Sequence, residues 1–213
     1  MAKSSSTTNL KQQFKENKQL RLITFSIGGV IVVLAGYLIY RQFIFGPTNE
    51  KSKEAYTEGL NYAAQDSTDL AIETLEPVAK KYDGTVGGEN AQVILARQYM
   101  EKGNFKKALS TLEEVNVSDT YVKIGVVGLT GDCYSEMGKY QDALTAYEKA
   151  AGMNENEKTT PEYLFKAALV AEQLKNFDKA TECYTRIRDE FSAFAQQKAI
   201  DKYIARASNK KVK

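Results

Sequence analysis

The sequence predicts an all-α protein in which a single N-terminal transmembrane helix is followed by an α-solenoid of helical hairpins. Three observations predict this fold class. Residues 22–40 form a run of nineteen residues without a charge, helix-forming residues recur beyond it at spacings of three and four, and one pattern of small and aromatic residues repeats after 35 and again after 37 residues. No stretch beyond the apolar run alternates convincingly as a strand would.

The uncharged run is long enough to cross a bilayer. As a helix it would extend about 28 Å, close to the hydrocarbon thickness of about 30 Å. We assign the transmembrane helix to residues 22–45, because aromatic residues gather at its far end, and we expect Gly46 and Pro47 to stop it and open a short linker over residues 46–52. A cleaved signal peptide is the alternative, since Val33, Leu34 and Ala35 offer a cleavage pattern. The long basic region and the continuing apolar run disfavour it.

The charges that flank the span predict its orientation. Residues 1–21 form a basic tail with a single acidic residue, Glu16, while the charges beyond the span are mixed; the basic residues of the tail are Lys3, Lys11, Lys15, Lys18 and Arg21. The positive-inside rule therefore places the tail in the cytoplasm and the large domain across the membrane.

The composition of the chain beyond the span argues against several classes of function. From Thr48 onward there are 23 basic and 26 acidic residues, which is not the concentrated basic surface of a nucleic-acid-binding protein. The chain contains no histidine, so the usual catalytic triads and zinc sites lack their commonest group. We find no converging acid, base and nucleophile. We therefore expect no enzymatic activity, no metal or other cofactor, no small-molecule substrate and no nucleic acid partner.

The chain has two cysteines, Cys133 and Cys183. They could form a disulfide or lie apart as two small buried hydrophobic residues, and the sequence alone does not give the distance that decides between these alternatives. We favour unpaired, buried thiols.

The repeating pattern has the physical logic of a helical hairpin. A small residue lets two antiparallel helices approach, a glycine turns the chain, a ring begins the second helix, and a second small residue lies where the helices cross. The residues that define the three clear copies are Ala96, Tyr99, Gly103 and Ala108; Gly131, Tyr134, Gly138 and Ala143; and Ala168, Phe177 and Ala180. A single hairpin cannot bury its apolar stripes, so neighbouring copies must stack.

The segments GNFKKALSTLEEV, GKYQDALTAYEKA and KNFDKATECYTRI resemble the tetratricopeptide repeat (TPR) family. This sequence departs from the family in lacking tryptophan and in having Lys175 at the turn glycine. The resemblance implies a TPR domain over residues 53–208, with a degenerate repeat at 53–83, repeats at 89–118, 124–154 and 161–190, a capping helix at 192–208, and a basic tail at 209–213. In the degenerate repeat Pro77 should kink the second helix or shift its ends.

In TPR proteins the first helices of successive hairpins line a concave groove. The resemblance places the following residues in a partner-binding groove: Val93, Arg97, Met100, Glu101, Asp132, Ser135, Glu136, Phe165, Leu169, Glu172 and Gln173. Its carboxylates would repel the terminal carboxylate that chaperone-binding TPR proteins clamp. We therefore expect an extended or amphipathic polypeptide with basic and apolar side chains.

The order of basic tail, span and repeats resembles the YfgM-like family, whose members are ancillary to the Sec translocon. The resemblance implies a single-pass protein of the bacterial inner membrane with a cytoplasmic N terminus and a periplasmic TPR domain. The partners it implies are SecYEG, a membrane-anchored periplasmic chaperone or unfolded clients, with the lipid bilayer around residues 22–45. A TPR scaffold for assembly of another envelope or secretion complex is the alternative.

Overall fold

The computed structural model describes residues 14–211, and no strand occurs among them. The chain divides into two compact units, one ending at Glu50 and one beginning at Lys51. Residues 1–13 of the basic N-terminal tail and residues 212 and 213 of the basic C-terminal tail lie outside the described part.

The first unit contains the apolar helix α1, Lys18–Tyr40. Asn17 caps it by accepting hydrogen bonds from the backbone N–H groups of Gln19 and Leu20. Its apolar side chains are exposed, as a helix in lipid requires. The continuous helix Lys18–Ala64 is, in the part of the chain that is described, the one helix long and apolar enough to cross a membrane by length and composition. Insertion of residues 22–45 into a bilayer stays a prediction.

The expectation that Gly46 and Pro47 stop this helix is wrong. A π-helical turn, Arg41–Phe45, follows α1, and helix α2, Gly46–Ala64, begins directly after it. In a regular α-helix the proline ring would clash with the carbonyl group four residues earlier, which here belongs to Phe43. The wider π-helical turn contains that carbonyl and accommodates the ring. The predicted linker 46–52 is therefore helical, and its role as a domain boundary stays a prediction.

The second unit continues from α2 as a series of antiparallel hairpins, as the period predicted. The helices pair as α2 with α3, α4 with α5, α6 with α7, and α8 with α9. Their bounds are α3 Thr68–Lys81, α4 Val86–Glu101, α5 Phe105–Glu114, α6 Thr120–Glu136, α7 Tyr140–Gly152, α8 Thr159–Gln173 and α9 Phe177–Glu190, followed by α10 Ser192–Lys198 and α11 Ile200–Lys211. This arrangement confirms the all-α solenoid.

The turns of the four hairpins share one backbone geometry. Each has a residue with positive φ at the same repeat position: Asp66 (55°), Gly103 (70°), Gly138 (72°) and Lys175 (58°). The N–H group of the next residue then donates to the carbonyl five residues earlier, over 2.8 to 2.9 Å in all four turns. This hydrogen bond satisfies an end carbonyl of the first helix. The shared geometry also shows that the first, degenerate copy is a hairpin of the same kind.

We expect Lys175→Gly to stabilise the domain by about 1 kcal/mol, because a left-handed backbone costs a residue with a side chain about that much and costs glycine almost nothing. Urea unfolding followed by circular dichroism measures the change. Lys175→Ala is the matched control, since it removes the same long side chain and keeps the backbone penalty. An equal gain in both variants would contradict the assignment to backbone conformation.

The helices approach closely at the small residues of the repeat. A Cβ atom on Gly131 would lie 2.6 Å from the ring of Tyr147, and one on Gly59 would lie 2.4 Å from the side chain of Leu75. The buried side chains form two clusters, one centred on α3, α4 and α5 and the other on α7, α8 and α9. Helix α6 lies between them and contributes Cys133 to the first cluster and Tyr134 to the second.

One expectation about helix continuity needs correction. The predicted capping helix 192–208 is two helices, α10 and α11, separated by Ala199 with a φ of 53°. The break allows Ile200 and Ala207 of α11 to be buried in the C-terminal cluster. Pro77, expected to kink its helix or shift the helix ends, lies inside α3, which continues to Lys81, and a kink there stays a prediction. Pro77 and Glu73 are exposed, so the carbonyl of Glu73, which loses its helical partner, can bind water.

Candidate functional site

The first helices of three successive hairpins line an apolar groove with a volume of about 460 Å³. We call it the N-terminal groove; α2 contributes Tyr56 and Leu60, α4 contributes Asn90, Val93, Ile94 and Arg97, and α6 contributes Tyr121, Val122 and Gly125. Leu60 is 39% exposed and Tyr121 is 61% exposed. The groove therefore presents apolar surface to solvent. Arg97 is the one charged residue among those that line the groove.

Two of the groove residues predicted from the sequence, Val93 and Arg97, line this groove. Tyr56 and Leu60 occupy the same repeat positions 37 residues earlier, so extending the register into the degenerate copy would have found them. Asn90 and Ile94 lie on neighbouring positions of α4. For Tyr121, Val122 and Gly125 the repeat pattern offered no signal.

The carboxylate of Asp132, expected to face a partner, is instead paired inside the domain. The hydroxyl of Tyr147 donates to Asp132 Oδ1 over 2.6 Å, and Lys166 Nζ lies 2.8 and 2.9 Å from the two carboxylate oxygens. Burial is the main cause that raises the pKa of Tyr147, and this hydrogen bond is the second. The hydroxyl of Tyr147 therefore keeps its proton and acts as the donor. Asp132 therefore joins α6 to α7 and α8, and its charge is balanced by Lys166.

Glu172 is also paired internally. Its side chain is only 7% exposed. Arg206 of α11 lies 2.6 Å from Oε1, Lys210 lies 3.5 Å from Oε2, and the hydroxyl of Tyr184 donates to Oε1 over 3.0 Å. The hydrogen bond to Glu172 is the main cause that raises the pKa of Arg206. Glu172 thus holds the C-terminal helix against α8 and α9.

The other predicted groove residues have different surroundings. Met100 packs against the N-terminal cluster, and Phe165 packs against the C-terminal one, with its ring 4.9 Å from that of Tyr203 in an edge-to-face contact. Ser135 and Leu169 are half-buried, whereas Glu101, Glu136 and Gln173 are exposed. Contact of any of these residues with a partner stays a prediction. The acidic groove that favoured a basic partner has, however, two of its four carboxylates neutralised by cations of the domain itself.

Cys133 and Cys183 are free and buried. Burial is the main cause that raises the pKa of each thiol to about 11, so both stay protonated near neutral pH. Within residues 14–211 no three acidic or cysteine side chains are grouped so that they could hold a metal ion.

We expect both thiols to react with iodoacetamide about a hundredfold more slowly in the native protein than in urea. A rise in pKa from 9.0 to about 11 reduces the reactive thiolate by about that factor. Mass spectrometry of samples quenched over time at pH 8 measures each site separately. Native labelling at the rate of the unfolded chain would contradict the burial of either thiol.

Two sequence profiles match the chain. A tetratricopeptide repeat-like domain matches residues 11–127, and a tetratricopeptide repeat matches residues 130–193. No curated protein matches the sequence.

Several solved structures have a similar fold. MamA superposes with a TM-score of 0.61 at 21% identity, over 78% of this chain and 84% of MamA. TPR-like repeats of a kinesin light chain from Podosopora anserina give a TM-score of 0.61 at 16% identity, over 76% and 88%. The quorum sensor NprR from B. thuringiensis, in its apo form, gives 0.52 at 21% identity, over 70% of this chain and 46% of NprR. At these identities the likeness concerns the fold.

Proposed function

Because this chain belongs to the tetratricopeptide repeat-like domain family, we propose that it is a membrane-anchored protein–protein interaction module. The observation that carries the proposal is the N-terminal groove, in which three successive first helices expose an apolar surface. We propose binding, and not catalysis, as its role, since the residues that line it provide no nucleophile with a neighbouring base.

We further propose that residues 22–45 anchor the protein in the bacterial inner membrane, with the N terminus in the cytoplasm and the repeats in the periplasm. The exposed apolar side chains of α1 support the anchor, and the basic residues before it support the orientation. In this setting the protein acts as a YfgM-like accessory of the Sec translocon, and its partners are SecYEG, a membrane-anchored periplasmic chaperone or emerging unfolded polypeptides.

Chemical crosslinking in intact membranes, followed by mild detergent extraction and identification of the copurifying proteins, tests the partners. Recovery of translocon or chaperone subunits supports the Sec proposal. Recovery of one unrelated envelope or secretion complex would instead support a scaffold for that complex.

Protease treatment of spheroplasts tests the topology separately. A periplasmic domain is digested in spheroplasts and protected in intact cells. Protection of the domain in spheroplasts, with digestion only after lysis, would overturn the periplasmic assignment whatever the partners are.

A further inference from the structure

We propose that the N-terminal groove binds an apolar polypeptide segment that carries a carboxylate, and that this carboxylate pairs with Arg97. The inference rests on the proposed function of the groove and specifies the chemistry of its occupant. It reverses the charge of the partner that the acidic residues of the sequence suggest.

Arg97 places a positive charge at the groove. Its side chain is exposed at the wall of an apolar groove, and it forms no ion pair with any residue between 14 and 211. Arg97 interacts electrostatically with Tyr163 of α8, but burial raises the pKa of that phenol, so it stays neutral and does not pair the charge. Glu101, one turn further along α4, is exposed, and the structure records no ion pair between the two. A guanidinium group that projects from apolar surroundings pairs well with a carboxylate, because the fork of N–H donors matches its two oxygens.

The residues that line the groove carry no negative charge that would compete with a partner's carboxylate for Arg97. None of the nine residues that line it is acidic. On α6, the adjacent first helix, Asp132 is neutralised by Lys166. Asn90, Tyr56 and Tyr121, which also line the groove, have side chains that carry neutral hydrogen-bond donors. The groove therefore presents a positive charge and neutral donors to an incoming segment.

The size and lining of the groove define the rest of the occupant. A volume of about 460 Å³ is in the range of pockets that enclose a few side chains. Leu60, Val93 and Ile94 supply apolar walls against which large apolar side chains of the occupant can be buried. Apolar side chains therefore provide much of the affinity, while the pair with Arg97 selects an acidic segment over a basic one.

Two blocked, fluorescein-labelled peptides test the inference. They share one arrangement of leucine and tyrosine residues and differ only in having glutamate or lysine at the remaining positions. The full-length protein is reconstituted in lipid nanodiscs and titrated against each peptide by fluorescence anisotropy at low salt. The variants are Arg97→Glu, Arg97→Lys and the matched control Lys106→Glu, which changes an exposed lysine of α5 outside the groove.

We expect the glutamate peptide to bind about tenfold or more tightly than the lysine peptide. Arg97→Glu should remove or reverse this preference, Arg97→Lys should keep part of it, and Lys106→Glu should leave it unchanged. Equal affinities, tighter binding of the lysine peptide, an equal effect of Lys106→Glu, or no binding of either peptide would overturn the inference. The membrane crosslinking experiment tests the proposed function independently, so a partner recovered there alongside a failure here would refute only the acidic occupant.

Discussion

Gly88→Ala is expected to destabilise the second unit by about 3 kcal/mol or more. Gly88 lies in the first turn of α4, where a Cβ atom would stand 1.9 Å from the carbonyl oxygen of Tyr82 and 2.5 Å from its carbonyl carbon. These are backbone atoms at the end of α3, so no rotation of a side chain can relieve the clash. The connection between α3 and α4 would have to move.

Urea unfolding of Gly88→Ala and of Gly125→Ala measures this effect against a matched control. Gly125 lies inside helix α6, and a Cβ atom there would meet nothing within 4 Å. Its replacement should stabilise the protein by up to about 1 kcal/mol through helix propensity. A Gly88→Ala protein as stable as the wild type would show that the α3–α4 connection is not packed as described.

Tyr184→Ala is expected to cost about 4 kcal/mol, the range for removal of a large buried aromatic side chain. Tyr184 has no exposed surface, and its ring lies 5.4 Å from that of Tyr203 and 5.9 Å from that of Phe165. The alanine variant leaves a cavity between α9, α8 and α11. We expect the C-terminal helix α11 to pack less tightly against α8 and α9 in this variant.

Tyr184→Phe provides the control, because it keeps the ring and removes only the hydroxyl that donates to Glu172. Its expected cost is about 1 kcal/mol, since Arg206 and Lys210 still satisfy the carboxylate. Thermal unfolding and hydrogen exchange of α11 measure both variants. Equal losses in the two would show that the hydroxyl, and not the packing of the ring, stabilises this end of the solenoid.

The sequence was sufficient to predict the hairpins, because the residues that determine them are local and recur in each repeat. Gly103 and Gly138 marked two turns, and the 35- and 37-residue offsets placed Asp66 and Lys175 at the other two, where the structure has the same positive φ. The breaks in helices were harder to predict. Pro47 is accommodated by a π-helical turn, and Ala199 breaks a helix without a glycine or proline, because burial of Ile200 depends on the neighbouring α9.

The charge of the candidate site could not be read from the sequence. Asp132 and Lys166 are 34 residues apart, as are Glu172 and Arg206, and each pair joins two helices that come together only in the folded solenoid. The repeat pattern groups residues on one helix face, so it identified the carboxylates of that face. It did not identify the cations on other helices that neutralise them. The groove itself was predicted in part, through Val93 and Arg97, and its N-terminal wall was missed because no groove residue was assigned to the degenerate repeat.

Site-specific photocrosslinking in intact cells tests the central claim, that the N-terminal groove is the surface that binds the partner. Benzoylphenylalanine replaces Tyr121, an exposed aromatic residue of the groove, or Glu113, an exposed residue of the second helix α5. We predict that Tyr121 gives a discrete crosslinked protein whose yield falls in Arg97→Glu, while Glu113 gives little. Equal crosslinking from both positions, or partner capture from Glu113 alone, would contradict the claim.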